Sequence, residues 1–351
     1  MDRRDREAAA MRRALALAAT PGVPLGPNPR VGCVLLAPDG TTIAEGFHRG
    51  AGSPHAEADA LAVAGGRARS ATAVVTLEPC NHTGRTGPCA RALVRAGVAR
   101  VVFAQADATP PARGGAETLS AAGVDVEGGL LADEARALNR WWSFAAEAQR
   151  PFVTWKLATT LDGRSAAADG TSRWVSSPAA RRDTHRLRAA CDAILVGTGT
   201  VLLDDPRLTV RDGDGDDADL PRERQPLRVV MGARGVPAGR RVLDDAAPTL
   251  VVATRDPHEV LGRLLAHGVR HVFLEGGPTL AAAFLTEGLV DEVVAYVAPL
   301  LLGRGLPAVG DLGIGTLACA RHLDVLDVTT VGTGTGADTN VRLTLSPRKD
   351  A

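Results

Sequence analysis

The stretch EPCNHTGRTGPC, residues 78–89, read together with His55-Ala56-Glu57, decides what the first half of this 351-residue chain can be. Cys80, Cys89 and the imidazole of His55 are the sulfur and nitrogen ligands that zinc prefers. Three protein ligands leave the fourth tetrahedral position for water, whose pKa falls towards neutrality on the metal. Glu57 can take the proton from that water and pass it to a departing amine. The pattern is typical of zinc-dependent deaminases of amino-substituted bases.

The spacing of the two cysteines carries further information. Eight residues separate Cys80 from Cys89, where the usual deaminase has two. A loop of this length closes onto a metal at small extra entropic cost, and it brings His82, Thr83 and Arg85 near the metal, where they could recognise a polar substrate. An alternative is a structural zinc site with His82 as the fourth ligand. Glu57 has no purpose in such a site, which favours the catalytic interpretation.

The composition limits the classes of partner. Lys+Arg and Asp+Glu balance at 40 each, so no net field draws the chain to nucleic acid or to anionic lipid. No apolar run is long enough to span a membrane, and the charged N-terminus lacks the apolar core of a signal peptide. Of the five cysteines, Cys33, Cys191 and Cys319 are predicted to be lone buried thiols. That cysteine usage indicates a reducing compartment, the cytoplasm.

Strands and helices alternate along the first half, which predicts an α/β layered domain. We expect strands at 31–36, 42–47, 73–77 and 101–104, and helices at 4–19, 56–64, 90–96, 117–122 and 130–148. Because Pro151 disfavours helix at the residue before it, the last helix ends there and a new strand begins at 152. The domain boundary is predicted near 148–150, which gives domains at 1–148 and 151–351.

The second half continues in the α/β style without repeating the sequence. Strands are predicted at 152–158, 193–197, 227–231, 249–253 and 271–275, and helices at 178–190, 257–267 and 279–287. The acidic run at 212–219 is not an EF-hand, because the closing glutamate is out of register. We interpret it as a solvated loop.

Two glycine-bearing segments predict a second site. Gly276-Gly277-Pro278 lies between a strand and a helix, where free N–H groups and the helix dipole favour a phosphate. Residues 197–202 also follow a strand, but Leu202 stands where the third glycine of the Rossmann fingerprint belongs. Together the two segments suggest an extended phosphate-containing ligand, with the charged residues 204–211 nearby. Those charges taken alone also fit an ordinary surface turn.

The order of these motifs resembles the bifunctional riboflavin-biosynthesis deaminase/reductases over residues 7–345. The resemblance includes PNPRVG at 27–32, GFHRGAGSPHAE at 46–57, RPFVT at 150–154, SRWVS at 172–176, TVLLDDP at 200–206 and GLVDE at 288–292. It implies a cytidine-deaminase-like α/β/α layered N-terminal domain followed by a dihydrofolate-reductase-like α/β domain.

The resemblance also implies two consecutive reactions. The first domain removes the 2-amino group of 2,5-diamino-6-ribosylamino-4(3H)-pyrimidinone 5′-phosphate and needs Zn²⁺. The second uses NADPH to reduce the ribose of 5-amino-6-(5-phosphoribosylamino)uracil to a ribityl chain. The partners are small phosphorylated pyrimidines, with no nucleic acid and no membrane, and we expect a homo-oligomer.

Site residues follow from the resemblance position by position. His55, Cys80 and Cys89 match the zinc ligands, and Glu57 matches the proton shuttle. The residues matched to NADPH contacts are Ala158, Trp174, Thr200, Asp204, Gly277, Pro278, Thr279, Leu280, Ala281 and Ala282. The residues matched to substrate contacts are Asn28 and His48 in the deaminase and Ser172, Arg188, Leu208, Arg211 and Glu275 in the reductase. Arg188 and Arg211 can hold the substrate phosphate by charge-assisted hydrogen bonds, and Lys156 lies beside this set.

Two other classes of function remain to be weighed. A nucleic-acid base deaminase with an accessory domain needs a basic groove lined by aromatic residues. The zero net charge and the 3% aromatic content disfavour it. A non-catalytic, zinc-stabilised nucleotide sensor is disfavoured by Glu57.

Overall fold

The computed structural model describes residues 2–23, 26–82, 87–109, 112–211, 220–334, 336 and 338–348. The expectations for Thr83, Arg85 and the acidic run 212–219 lie outside these residues. The chain divides into two compact units, Met1–Gln149 and Arg150–Ala351. No helix among the described residues is long and apolar enough to cross a membrane.

Helices and strands alternate through most of the first unit. Its helices are α1 (Arg3–Ala18), α2 (Ala56–Ala64), α3 (Cys89–Arg95), α4 (Gly115–Ala121), α5 (Ala132–Leu138) and α6 (Arg140–Ala148). Its strands are β1 (Gly32–Leu36), β2 (Thr42–Phe47), β3 (Thr72–Leu77), β4 (Arg100–Gln105) and β5 (Asp125–Gly128).

Within the described residues of this unit, five strands form one sheet in the order β2-β1-β3-β4-β5. The strand β1 runs antiparallel to both β2 and β3, while β3, β4 and β5 are parallel. One sheet face packs on α2, α3 and α4 and the other on α1 and α5. The layered α/β prediction for this half is therefore confirmed.

The helix that carries the candidate metal ligand lies unusually close to the sheet. A side chain at Gly46 on β2 would place its Cβ 2.4 Å from the backbone nitrogen of Ala60 on α2. That distance is shorter than any real carbon contact, so only glycine allows this approach. The short helix packs through its small alanines, Ala56, Ala60 and Ala64, all buried. His55 is thus fixed at the helix start, directly over the sheet.

One prediction for this unit is wrong. The expected helix over 130–148 is two helices, α5 and α6, which meet at Asn139. The Asn139 side chain accepts a hydrogen bond from the Arg30 amide and donates one to the Arg30 carbonyl, both at 2.8 Å. An asparagine that bonds to a distant backbone competes with helical continuation, which explains the break.

The second unit contains four helices and most of the strands. Its helices are α7 (Pro178–Ala189), α8 (Thr198–Asp204), α9 (Pro257–Ala266) and α10 (Pro278–Thr286). Its strands are β6 (Phe152–Thr160), β7 (Arg164–Ala167), β8 (Ala193–Gly197), β9 (Leu227–Met231), β10 (Thr249–Val252), β11 (His271–Leu274), β12 (Glu292–Ala298), β13 (Gly305–Pro307), β14 (Leu323–Val331) and β15 (Asn340–Pro347). These counts cover the described residues of the unit.

Eight of these strands, as far as the structure describes the chain, form one mixed sheet in the order β10-β9-β8-β11-β6-β12-β15-β14. The first six are parallel, and β15 and β14 add an antiparallel edge. The helices α9 and α10 cover one face, while α7 and α8 lie on the other. Strands β7 and β13 pair separately.

The sequence patterns did not reveal all of these strands. Strands β5, β7, β13, β14 and β15 were not predicted, because their residues are short runs or mix apolar side chains with Asp, Thr and Arg. Strand β12 was also not predicted, although Glu292–Ala298 is an almost continuous apolar run of strand length. One cysteine prediction is also wrong. Cys33 and Cys191 are buried free thiols, as expected, but Cys319 is exposed.

Candidate active sites

The three predicted zinc ligands come together at the ends of three elements. His55 is the residue that precedes α2, Cys80 lies in the loop after β3, and Cys89 is the first residue of α3. Nδ1 of His55 lies 3.5 Å from Sγ of Cys80 and 3.3 Å from Sγ of Cys89. These three ligand atoms lie within 4.8 Å of one another. The ends of these three elements therefore bring the ligands to one point.

The donor set and the separations fit zinc. Bonds of about 2.3 Å to sulfur and about 2.0 Å to nitrogen at tetrahedral angles put the ligand atoms roughly 3.5 Å apart, which the two imidazole–sulfur distances match. His82 is not part of the cluster found among the described residues. The four-ligand structural alternative therefore loses the residue on which it depended.

The surroundings of the two cysteines favour one thiolate, which would attract a cation. Hydrogen bonds from the Cys89 thiol and from His55 lower the pKa of Cys80 to about 4. The backbone N–H of Cys89 also points at the Cys80 sulfur, at 3.5 Å. The pKa of Cys89 is raised, first by its bond to Cys80 and then by burial. One thiolate is thus favoured before any metal arrives, and a divalent ion would favour the second.

Glu57 lies in the first turn of α2, and only 4% of the residue is exposed. Burial, reinforced by the charge on Cys80, raises the pKa of Glu57 to about 7. A carboxyl group with a pKa near neutrality can both accept and return a proton at physiological pH. The location and the pKa therefore suit the predicted proton shuttle.

The predicted substrate contacts of the deaminase lie beside this cluster. Nε2 of His48 is 3.0 Å from Nδ2 of Asn28, and Nδ1 of His48 is 2.9 Å from the Pro54 carbonyl. Because a carbonyl only accepts, Nδ1 carries the proton and Nε2 accepts from the Asn28 amide. The His48 ring packs edge-on against the His55 ring, with centroids 5.5 Å apart. Asn28 is thereby held with its amide orientation defined.

Sequence reasoning missed two residues that support this site. Glu78 is buried, and its carboxylate accepts hydrogen bonds from the amides of Asp107 at 3.1 Å and Ala116 at 3.0 Å. It thus ties the Cys80 loop to the start of α4. Asn139 holds Arg30, two residues after Asn28. The signals were a glutamate directly before Pro79-Cys80 and a polar residue inside a predicted apolar helix.

In the second unit, the two glycine-bearing segments lie side by side. They follow β8 and β11, which are neighbours in the sheet, and β6 with Ala158 is next to β11. A Cβ on Gly197 would lie 3.7 Å from Leu280, whereas one on Gly277 would meet nothing within 4 Å. Parallel strands bind ligands outside their carboxyl ends. Thr200 on α8 and residues 277–282 at the start of α10 therefore share one edge of the sheet.

A charged cluster lies between α7 and β11. Arg188 on α7 makes two hydrogen bonds to the Glu275 carboxylate, one of them Nη2 to Oε2 at 2.9 Å, and donates to the Thr209 carbonyl at 3.1 Å. Burial alone would raise the pKa of Glu275, but Arg188 and Lys156 hold it below its usual value. Burial lowers the pKa of Lys156. Arg188, which was predicted to contact the substrate, is therefore engaged with protein groups.

The other predicted contacts occupy the surrounding loops. Trp174 is 65% exposed, with the Arg181 guanidinium 4.4 Å from its ring centroid. Asp204 is the last residue of α8, and its carbonyl accepts a hydrogen bond from Arg173 at 2.6 Å.

The remaining predicted substrate contacts lie before α7 and after α8. Leu208 is buried, and the Arg211 amide donates to His185 at 3.2 Å. Ser172 lies in the turn before α7, where its carbonyl accepts from the Val175 amide.

Comparison with known proteins gives a consistent result. Residues 4–105 match the cytidine and deoxycytidylate deaminase zinc-binding region, and residues 151–336 match the RibD C-terminal domain. The riboflavin biosynthesis protein RibD of Mycobacterium tuberculosis is 50% identical over 307 residues, which cover 87% of this chain and 89% of that protein. RibD of Escherichia coli is 41% identical over 354 residues, covering 92% of this chain and 96% of its own length.

Solved structures agree over the whole chain. A crystal form of Acinetobacter baumannii RibD aligns with a TM-score of 0.85 and 36% identity over 99% of this chain and 100% of that one. A Thermotoga maritima diaminohydroxyphosphoribosylaminopyrimidine deaminase/5-amino-6-(5-phosphoribosylamino)uracil reductase aligns with a TM-score of 0.81 and 30% identity over the same shares. The metal cluster and the folds of the two units agree with these matches. The chain belongs to the RibD family of bifunctional riboflavin-biosynthesis deaminase/reductases.

Proposed function

We propose that the unit spanning Met1–Gln149 deaminates 2,5-diamino-6-ribosylamino-4(3H)-pyrimidinone 5′-phosphate and that the unit spanning Arg150–Ala351 reduces the ribose of the product. The observation that carries the first half is a buried Glu57 beside the converged His55, Cys80 and Cys89. The observation that carries the second is the charged cluster at the sheet edge where the two glycine-bearing segments meet.

Held by His55, Cys80 and Cys89, zinc would supply a water of lowered pKa as the nucleophile. Glu57 would take a proton from that water and deliver it to the 2-amino group, which leaves as ammonia. The water's second proton would go to the ring nitrogen as the ring carbon gains a carbonyl oxygen. The orientation that His48 imposes on Asn28 leaves the Asn28 carbonyl oxygen to accept from an N–H of the pyrimidine. Burial around Glu57 keeps its proton from exchanging freely with bulk water.

In the reductase, NADPH bound along residues 277–282 and Thr200 would supply the hydride. The chain's task is to position the ribose next to the nicotinamide and to hold the substrate phosphate. Arg211 is suited to the phosphate, since its Nε is buried and has no hydrogen-bond partner among the described residues. Arg188 orients Glu275, and we assign Glu275, with Lys156 nearby, to recognition of the ribose hydroxyl groups.

A two-step assay tests this proposal. Purified protein is given the diaminopyrimidinone phosphate with and without NADPH, and products are separated by chromatography. Without NADPH the aminouracil ribosyl phosphate should accumulate, and NADPH should convert it to the ribityl compound. Cytidine-type bases and tRNA serve as controls. Deamination of those substrates, with none of the pyrimidinone, would support a nucleic-acid base deaminase instead.

We propose the cytoplasm as the site of action, supported by the absence of any cysteine pairing among the five free thiols. We also propose that the chain forms a homo-oligomer through its second unit. On β14, Leu323, Val325 and Val328 pair in register with Pro347, Leu345 and Leu343 of β15, so they share one sheet face. Val325 and Val328 are more than 60% exposed there.

A second copy is the occupant that this face favours. None of those six side chains is charged, so two copies of the face can meet in a two-fold arrangement without bringing like charges together. The bulge between Val325 and Asp327 disfavours edge-to-edge strand pairing, which leaves face packing. Sedimentation should show Val325→Asp as a smaller species than the parent protein. Leu317→Asp, an exposed apolar position outside this face, should leave the size unchanged.

A further inference from the structure

Residues 207–211, here called the substrate segment, contain Leu208 and Arg211, two of the proposed substrate contacts. Side chains from other elements hold the backbone of this segment. Arg228 donates to the Arg207 carbonyl at 3.2 Å, Arg188 donates to the Thr209 carbonyl at 3.1 Å, and His185 accepts from the Arg211 amide. The position of the segment is therefore set by tertiary contacts.

The fourth such side chain is Gln225, whose amide makes three hydrogen bonds to backbone groups. It lies just before β9 and is 7% exposed. Its Oε1 accepts from the Val210 amide at 2.7 Å, and its Nε2 donates to the carbonyls of Val210 at 3.0 Å and Leu220 at 2.8 Å. One amide group thus closes both backbone groups of the residue directly before Arg211. The pairing also defines the amide orientation, since Oε1 faces an N–H and Nε2 faces two carbonyls.

The segment needs such support. Leu208 has φ = +55°, a left-handed conformation that a bulky residue adopts only when its surroundings enforce it. The Nε of Arg211 is buried and has no hydrogen-bond partner in the described part of the chain. An arginine whose Nε is buried without a protein hydrogen bond is suited to an anionic ligand. Its usefulness depends on where the Val210 backbone holds it.

We propose that Gln225 is a positioning residue of the reductase, which places Arg211 for the phosphate of the substrate by clamping the Val210 backbone. The inference rests on the proposed role of Arg211 and adds a residue that does not itself contact the ligand. Gln225 acts through geometry, so its loss should weaken recognition of the phosphorylated substrate rather than binding of NADPH.

The test is Gln225→Met in the full chain, which retains the side-chain length and removes the amide. KM for the phosphorylated substrate should rise roughly tenfold, because small misplacements of binding groups are costly. KM for NADPH and the rate of deamination should stay within about twofold. With dephosphorylated substrate, the variant and the parent protein should be equal. If the methionine variant does not fold, Gln225→Glu, which keeps the length and the acceptor for Val210, should raise KM in the same direction.

Arg211→Ala and the double variant complete a thermodynamic cycle. If Gln225 acts through Arg211, the double variant should be no worse than Arg211→Ala alone, whereas additive effects would overturn the proposal. Thr154→Val removes a buried hydroxyl that hydrogen-bonds to His271 and Glu292, outside the substrate segment, and should leave KM unchanged. An equal rise in KM with Thr154→Val would indicate general destabilisation and overturn the inference. No effect of Arg211→Ala would instead refute the proposed phosphate contact.

Discussion

The two candidate sites of this chain are assembled in opposite ways. In the first unit, the three metal ligands and Glu57 come from two short segments, 55–57 and 80–89, at the starts of two helices and after one strand. In the second, Lys156, Arg188, Arg211 and Glu275 come from four separated segments across 120 positions. The first site is local in sequence and the second is dispersed.

The two sites also differ in how their charged side chains are paired. In the first site, the two sulfurs and the imidazole have one another as near neighbours, and a divalent cation would favour the second thiolate. In the second site, Arg188 already has Glu275 as an ion-pair partner within the protein, and Lys156 lies nearby. We therefore expect all-or-none effects from single changes in the first site and graded effects in the second.

The largest effect should follow from Cys80→Ser. A hydroxyl is a poor zinc ligand, so zinc content should fall from one per chain to a small fraction, and deamination should disappear. Reduction of the deaminated substrate should be unaffected. Metal analysis and both assays make the test, with Cys33→Ser, a buried thiol outside the cluster, as the control. Full zinc retention in Cys80→Ser would show that the ligand set is wrong.

Glu57→Gln should separate metal binding from catalysis. The amide has a similar shape but cannot carry the proton, so deamination should drop by about 10²–10⁴-fold while zinc content stays at the parent value. Steady-state kinetics with parallel metal analysis measures both quantities. A loss smaller than about tenfold would argue that another group moves the proton.

Glu275→Gln should have a graded effect on reduction. Removing the carboxylate charge leaves Arg188 buried without its ion-pair partner, so the substrate contacts shift and kcat/KM should fall by roughly tenfold. Asp183→Asn is the matched control, because Asp183 is a buried carboxylate that pairs with Arg342 and Tyr296. Both variants should lower the melting temperature, but only Glu275→Gln should change reductase kinetics. Equal kinetic losses would mean that stability, not position, explains the effect.

The smallest effect should come from separating the two halves. Proteins comprising residues 1–149 and 150–351 each retain a complete hydrophobic core, so each should fold and keep its own activity within about twofold. Circular dichroism and the two assays check this expectation. Insolubility of both pieces, with a soluble parent protein, would show that the units depend on each other.

The metal site and several strands could be predicted from the sequence. Metal ligation restricts residue type so strongly that His55, Cys80 and Cys89 indicate a zinc site from the sequence alone. Glu57, two residues after the histidine, indicates a catalytic role for that site. Apolar runs of strand length likewise predicted the strands β8, β9, β10 and β11. The assignments of individual reductase contacts remain predictions, because glycines, arginines and leucines serve many purposes.

Other features were decided only by the tertiary structure. Asn139 ends a helix because its amide bonds to Arg30, 109 positions away, and Gln225 holds Val210 across 15 positions. Arg188 carries the same formal charge whether it contacts a phosphate or Glu275, so the sequence alone could not show its partner. The physical reason is that a metal ligand is defined by its own atoms, whereas an amide or a guanidinium is defined by the group that the fold places opposite it.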